Sequence, residues 1–355
     1  MNIRTAGVAI TVLALASCGG SGGNPLQTAA SSGGGTTTPT TTILPGTQNP
    51  TPGGAIQRLE AKGTAGQADY GNGFANGFTH DSTNDTFTVQ GLPFDGNQPP
   101  GTVFTRSTSP ASLATNFALY EQPTAVPDFG TSTPITQDMY RALYAVSASG
   151  NTEFAIVRTG EYADYGFGGF MYQRKNGVTL PTSGQANYTG GYAGIQDANG
   201  SSGLRYVDGT MSIDIDYGGF SGNCASGSGA CENAVYGTVT NRRIFDSSGT
   251  DITASVITAL DTDNTSITVT QLPVLQFKIG PDVMDANGEI TGEAFSAFSD
   301  GTQLESGKYY AVMSGDHSSP TGGEIVGIVV SEFSTTSIAN GGTVRETGGF
   351  IVTRN

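Results

Sequence analysis

The chain has 355 residues, room for two ordinary domains, and is built from strand and turn formers: 53 Gly, 17 Phe, 14 Tyr, no Trp and only 13% charged residues. That composition speaks against a helix-rich protein, because helix faces draw on Glu, Lys, Arg and Leu. A formal charge of −15, with no basic cluster beyond the isolated Arg242-Arg243 pair, sets nucleic acid aside as a partner.

In chain order, Arg4 precedes an apolar run of eleven residues, Ala6 to Ala16, too short to span a bilayer but right for the core of a signal peptide. The run ends in Leu15-Ala16-Ser17-Cys18, followed by Gly19-Gly20. This pattern resembles the bacterial lipoprotein signal. The resemblance implies that residues 1–18 are the signal ending at a lipidated, palmitate-bearing Cys18 that becomes the mature N-terminus. With Gly rather than Asp at position 19, it also implies sorting to the outer membrane, displayed on the cell surface or held on the periplasmic face. A plain secretory signal with a chance cysteine is the competing reading.

Residues 19–54 carry only Gly, Ser, Thr, Pro and a few other uncharged residues, and read as a disordered tether. Its flexible reach is on the order of 30 Å. Residues 55–178 read as a handle-like β domain, with strands expected at Asp85–Leu92, Ala114–Gln122, Tyr140–Ala148 and Thr152–Gly160. Ser149-Gly150-Asn151 is a hairpin turn between the last two, although residues 135–144 fit a short helix equally well. Residues 179–355 offer strand after strand, punctuated by Asp208-Gly209, Asn287-Gly288, Asp300-Gly301 and Gly322-Gly323. The fold class expected is therefore all-β, ending in a soluble eight-stranded antiparallel barrel, whose closure removes exposed edges. Among these strands are counted Ile252–Leu260 and the long run Ser266–Gly280. A transmembrane barrel competes, but a lipid anchor would be redundant on a chain that already spans.

Once Cys18 is assigned to lipid, Cys224 and Cys231 remain, flanking a six-residue Gly/Ser/Ala loop. An oxidising compartment makes a disulfide the natural reading. A metal site would need more ligands than His80 and His317 supply, so no metal and no cofactor is expected.

The stretch Leu180 to Gly194 (LPTSGQANYTGGYAG) resembles the opening barrel strand of the transferrin-binding-protein-B-like surface lipoproteins. Asp208–Gly222 is similar to that family's next hairpin, Gly288–Phe298, Gly307–Gly315 and Gly322–Val329 to its closing strands, and Gly348–Asn355 to its C-terminal strand. The resemblance covers residues 179–355 well, and implies that residues 55–178 are the handle that packs beside the barrel in a single lobe. It implies a non-enzymatic binding protein for a protein or solute, with nutrient uptake, iron or haem included, as the family's role. No family binding residue matches closely enough to be carried over. A structural or adhesive cell-envelope role without a small-molecule ligand is the alternative. Within the stretch, Tyr188 and Tyr192 are expected to cover the bare backbone at Gly190, with Leu180-Pro181 as the hinge from the handle.

Catalytic motifs are missing from the sequence: no Gly-x-Ser-x-Gly elbow occurs, and two histidines leave little for a triad. Asp214 and Asp216, two apart on one strand face, could serve a sugar-cleaving reaction, but such pairs more often line a solvated face. Asp261–Thr265 and Asp285–Glu289 resemble calcium loops only in passing, and Asx turns explain both. Tyr162, Tyr165, Phe167 and Phe170, set among glycines, are the candidate recognition aromatics. Packing at strand bends is their plainer reading.

Overall fold

The computed structural model describes residues 44–62, 73–93, 101–122, 139–160, 165–199, 201–218, 234–279, 283–335 and 342–355. Cys18, Tyr162, Cys224 and Cys231 fall outside them.

The fold is all-β, in two sheets. The first is a curled half-barrel with strand order β1-β8-β7-β6-β5-β4-β3-β2. It contains β1 (Ile56–Leu59), β2 (Gly77–Asp81), β3 (Thr86–Gln90), β4 (Thr102–Ser107), β5 (Ala118–Glu121), β6 (Arg141–Val146), β7 (Thr152–Arg158) and β8 (Gly168–Arg174). A single turn, α1 (Ala111–Ala114), joins β4 to β5, and the two-residue β9 (Val178–Thr179) leads into the second sheet. There, β10 (Gln185–Ala198), β11 (Ser201–Asp216), β12 (Ala234–Phe245), β13 (Leu275–Phe277), β14 (Glu289–Ala297), β15 (Gln303–Asp316), β16 (Glu324–Ser334) and β17 (Thr343–Arg354) pair in ring order, all antiparallel. The β14–β15 and β10–β17 pairings close an eight-stranded barrel.

Alternation assigns the two faces of each strand. Tyr188, Tyr192, Met211, Ile213, Val235, Val239, Phe277, Tyr309, Phe350 and Val352 fill the barrel, all fully or nearly fully buried. The wall away from the handle shows Ser212, Asp214, Thr238, Gln276 and Glu293 outward, the reverse of a lipid-facing barrel. On the opposite wall, Ala193, Ile195, Tyr206, Tyr310, Val326 and Ile328 meet Ile56, Leu143, Phe154, Ile156, Phe170 and Tyr172 of the handle in one shared core. The other face of the handle sheet has its own core around Phe87, Phe104, Tyr120 and Tyr140.

Glycines mark where rings cross strands. A side chain on Gly292 would strike the Tyr309 ring opposite it, one on Gly327 the Phe350 ring, and one on Gly348 the Tyr192 ring. Tyr192 thus covers Gly348 on the neighbouring strand rather than Gly190 on its own, because a strand side chain stands off its backbone and leans onto the next chain. Tyr188 turns instead to Tyr217 and His317. On the outer wall, Gly349 gives the same room to Phe154 of the handle.

Two expected strands differ. Thr253–Asp263 is helix α2, which lays Val256 and Leu260, one turn apart, against the barrel interior at the end where β12 finishes. The helix is rich in β-branched residues, and the Thr258 and Thr262 hydroxyls turn back on the carbonyls four residues earlier, so burial of Val256 and Leu260 overrides propensity. Of the described part of the run expected at Ser266–Gly280, residues 266–279, only Leu275–Phe277 forms a strand, since Pro273 has no N–H to give a ladder.

Residues 44–54, at the end of the segment read as tether, are held on the body: Leu44 is buried, and Thr47 N–H and Leu59 N–H make a short ladder with the Gln57 and Pro45 carbonyls.

Candidate binding groove and charged seam

Buried polar and charged side chains gather at three places, on or beside the strands. The first is the seam between handle and barrel. Arg58 of β1 makes a two-pronged pair with Glu289 (Nε–Oε2 2.7 Å, Nη2–Oε1 2.6 Å). Arg174 of β8 donates to the carbonyls of Thr51, Pro52 and Gly54, and to Met313 on the barrel (2.8 Å). Ser147 and Ser149 both donate to Glu324 Oε1 (3.0 and 2.9 Å). Toward the helix-capped end, Arg158 lies 2.8 Å from Glu60 and 3.7 Å from Asp197, while Arg345 pairs with Glu332 at 2.9 Å.

The second place is inside the barrel. Between Asp208–Arg243 and Thr210–Thr240 pairing, β12 carries one extra residue, with Asn241 at φ 54°. This bulge reverses the alternation, so Arg242 points inward where an unbroken strand would turn it out. Its guanidinium meets Glu305 through two bonds (2.7 and 2.6 Å) and lies 3.7 Å from Glu346. Glu346 also accepts from Tyr192 (2.5 Å) and Gln196 (2.8 Å). Burial raises the Glu346 carboxyl, with Arg242 pulling the other way.

At the opposite end, His317 Nε2 lies 3.1 Å from the Ser314 carbonyl, so that nitrogen carries the proton. Nδ1 therefore accepts from Tyr188 (2.6 Å), which in turn accepts from Tyr217 (2.9 Å). Burial lowers the imidazole to about 4.

A recess of about 350 Å³ lies at this same end, along the starts of β10 and β12 and the end of β11. Asp214 and Asp216 line it from β11, braced by Asn187 (2.8 Å) and Gln185 (2.8 Å) of β10, with Tyr236 and Ile279 on the far side. Ile279 is 44% exposed. The recess opens here because β12 pairs with β13 at Thr238 and Val239 alone, so among the described residues Ala234–Tyr236 have no strand partner on that side. It offers carboxylate and amide acceptors beside an apolar surface. The two aspartates stand on the outer wall rather than in an enclosed cleft.

The recognition aromatics are elsewhere. Phe170 is wholly buried in the shared core, and Phe167 packs edge-on to Phe74 (5.0 Å). The Arg345 guanidinium lies over the Tyr165 ring at 3.7 Å, inside the seam. Their glycines provide close approach: Gly168 and Gly169 leave no room for a side chain beside Val157 and Ala75. Among the described residues no group of three or more His, Cys, Asp or Glu is placed to hold a metal ion.

No protein-family model matches the chain, and no curated protein matches it. Among solved structures, the vaccine antigen transferrin binding protein B of Haemophilus parasuis Hp5, as a double mutant, is similar at 12% identity and a TM-score of 0.35. The match covers 80% of this chain and 46% of that one, so this chain spans about half its length. A protein of unknown function from the DUF3598 family of Nostoc punctiforme PCC 73102 is similar at 9% identity and a TM-score of 0.23, over 85% of this chain and 88% of that one. At these scores the likeness assigns neither family nor function.

Proposed function

We propose that the chain is a surface-displayed lipoprotein, anchored in the outer membrane through Cys18, that binds a protein partner at the rim groove. The observation that carries this reading is the pairing of a filled barrel with an open rim. Tyr188, Tyr192, Phe277, Tyr309 and Phe350 occupy the lumen, so a ligand has no room inside. The outer groove, with Asp214, Asp216, Asn187 and Ile279, is where acceptors and apolar surface meet. A captured solute, iron or haem included, is the narrower version of the same role. No catalytic chemistry is assigned to the site.

Immobilised fragment 44–355, incubated with growth medium or serum, tests this by mass spectrometry of what is retained. Saturable retention of a defined protein supports the reading, and retention of nothing but the fragment itself refutes it. Asp214→Asn/Asp216→Asn is expected to weaken capture about tenfold with an unchanged melting temperature. Equal capture by the variant would move the site off the groove.

A further inference from the structure

On the handle–barrel seam Arg58 and Glu289 balance each other, but one cluster of charges toward the helix-capped end is out of balance. Asp197 of β10 stands opposite Arg345 of β17, which stands opposite Glu332 of β16. From the handle, Arg158 of β7 and Glu60, just after β1, face them. Glu60, Asp197, Arg158 and Arg345 are all at most 3% exposed and Glu332 is 9% exposed. Tyr165 and Tyr310 also face the cluster, and burial keeps both phenols protonated. Among the described residues three carboxylates therefore share two guanidiniums, with neither Lys nor His present. Hydrogen bonding is incomplete as well: Glu60 Oε2 meets Arg158 as an ion pair, but Glu60 Oε1, both carboxylate oxygens of Asp197 and one terminal nitrogen of Arg345 have no hydrogen-bond partner. Each such group sealed away from water is costly, and an unmatched charge more so.

We propose that this part of the seam is a proton-operated latch. With a proton on the Asp197 carboxyl, charge is balanced and the handle is docked on the barrel; without it, an uncompensated carboxylate is sealed between the two bodies and the handle loosens. Asp197 bridges both sides, since it faces Arg158 of the handle from a barrel strand. Burial is the largest influence on it, opposed by Arg345 and Arg158 and reinforced by Glu60 and Glu332, and together they push its carboxyl up to about 7. Because the docked form holds the proton more tightly than an ordinary carboxylate does, docking is strongest at acid pH and is lost as pH rises through about 7.

The test is hydrogen exchange of β7 and β10 amides in fragment 44–355, corrected for intrinsic rates, from pH 5.5 to 8. The wild type is expected to open about 15-fold more readily at pH 7 than at pH 5.5, since the docked carboxyl is already half deprotonated at about 7 and the tenfold-per-unit linkage levels off there. Asp197→Asn is expected to change less than threefold over the same range. Glu60→Gln removes one neighbouring negative charge, and its opening step is expected at higher protection and shifted relative to the wild type. That variant keeps the test alive should Asp197→Asn fail to fold. A wild-type seam whose corrected exchange is flat from pH 5.5 to 8 overturns the latch, as does an Asp197→Asn variant that retains the wild-type slope.

Discussion

Gly348→Ala puts the ring-over-glycine packing to a direct test. A methyl at 348 would lie 2.6 Å from Tyr192 Cε2 and closer still to its hydroxyl, inside a wall that has no slack because Phe350 and Val352 continue the same face of β17. Overpacking of this kind costs about 1–3 kcal/mol. If the ring swings aside, its hydroxyl leaves Glu346 Oε1, now 2.5 Å away, and stranding that buried acceptor adds about 1–3 kcal/mol. The expected total is about 2–6 kcal/mol, read as a shift in urea midpoint for fragment 44–355. Gly53→Ala, with nothing within 4 Å of the added methyl, is the control and is expected to stay within about 0.5 kcal/mol. If the ring is the cause, Gly348→Ala/Tyr192→Ala must be less destabilised than the two single changes added together. A Gly348→Ala protein within 1 kcal/mol of wild type, or strict additivity in the double variant, would show that Tyr192 does not hold that space.

Arg242→Met leaves Glu305 and Glu346 facing each other in the barrel and is expected to cost about 3–5 kcal/mol in urea unfolding, whereas replacing all three residues by apolar ones recovers most of the loss. His317, held near 4, binds its proton more weakly folded than unfolded; its contribution is complete above pH 6.5 and is lost as pH falls toward 4, by up to about 3 kcal/mol. That acid limb is expected to vanish in His317→Gln, measured by melting from pH 7 to 4. Cys18→Ala is expected to abolish labelling with radioactive palmitate and release the protein from membranes; continued labelling would refute lipidation at that residue.

Alternation made the long barrel strands legible. Met211, Ile213 and Ile215 against Ser212, Asp214 and Asp216 announce β11, and the Tyr/Gly alternation of residues 186–194 announces β10. The short handle strands β1, β2 and β4 carry few apolar residues and gave no such pattern. Inward Arg242 was hidden for a different reason: its direction depends on one asparagine adopting a left-handed turn, and a strand read without that bulge turns Arg243 inward instead. Asn241 is the only local hint, being a residue type that tolerates positive φ. Helix α2 was concealed by its threonines, which suit a strand until the chain has a barrel mouth to cover. For the candidate recognition aromatics, packing at strand bends, the plainer reading, fits Phe167 and Phe170, whose glycine neighbours Gly168 and Gly169 serve close contact between packed strands.

Arg174 has a mechanical consequence. Its one guanidinium grips the chain at Thr51, Pro52 and Gly54 and, at the same time, the Met313 carbonyl of the barrel. Residues 45–47 also run antiparallel to β1. Arg58 of β1 likewise holds the Leu44 and Thr47 carbonyls while pairing with Glu289 of the barrel, so tension applied at residue 44 is passed by shear through that short ladder and shared by both sheets at two cations. Handle and barrel would take that load together.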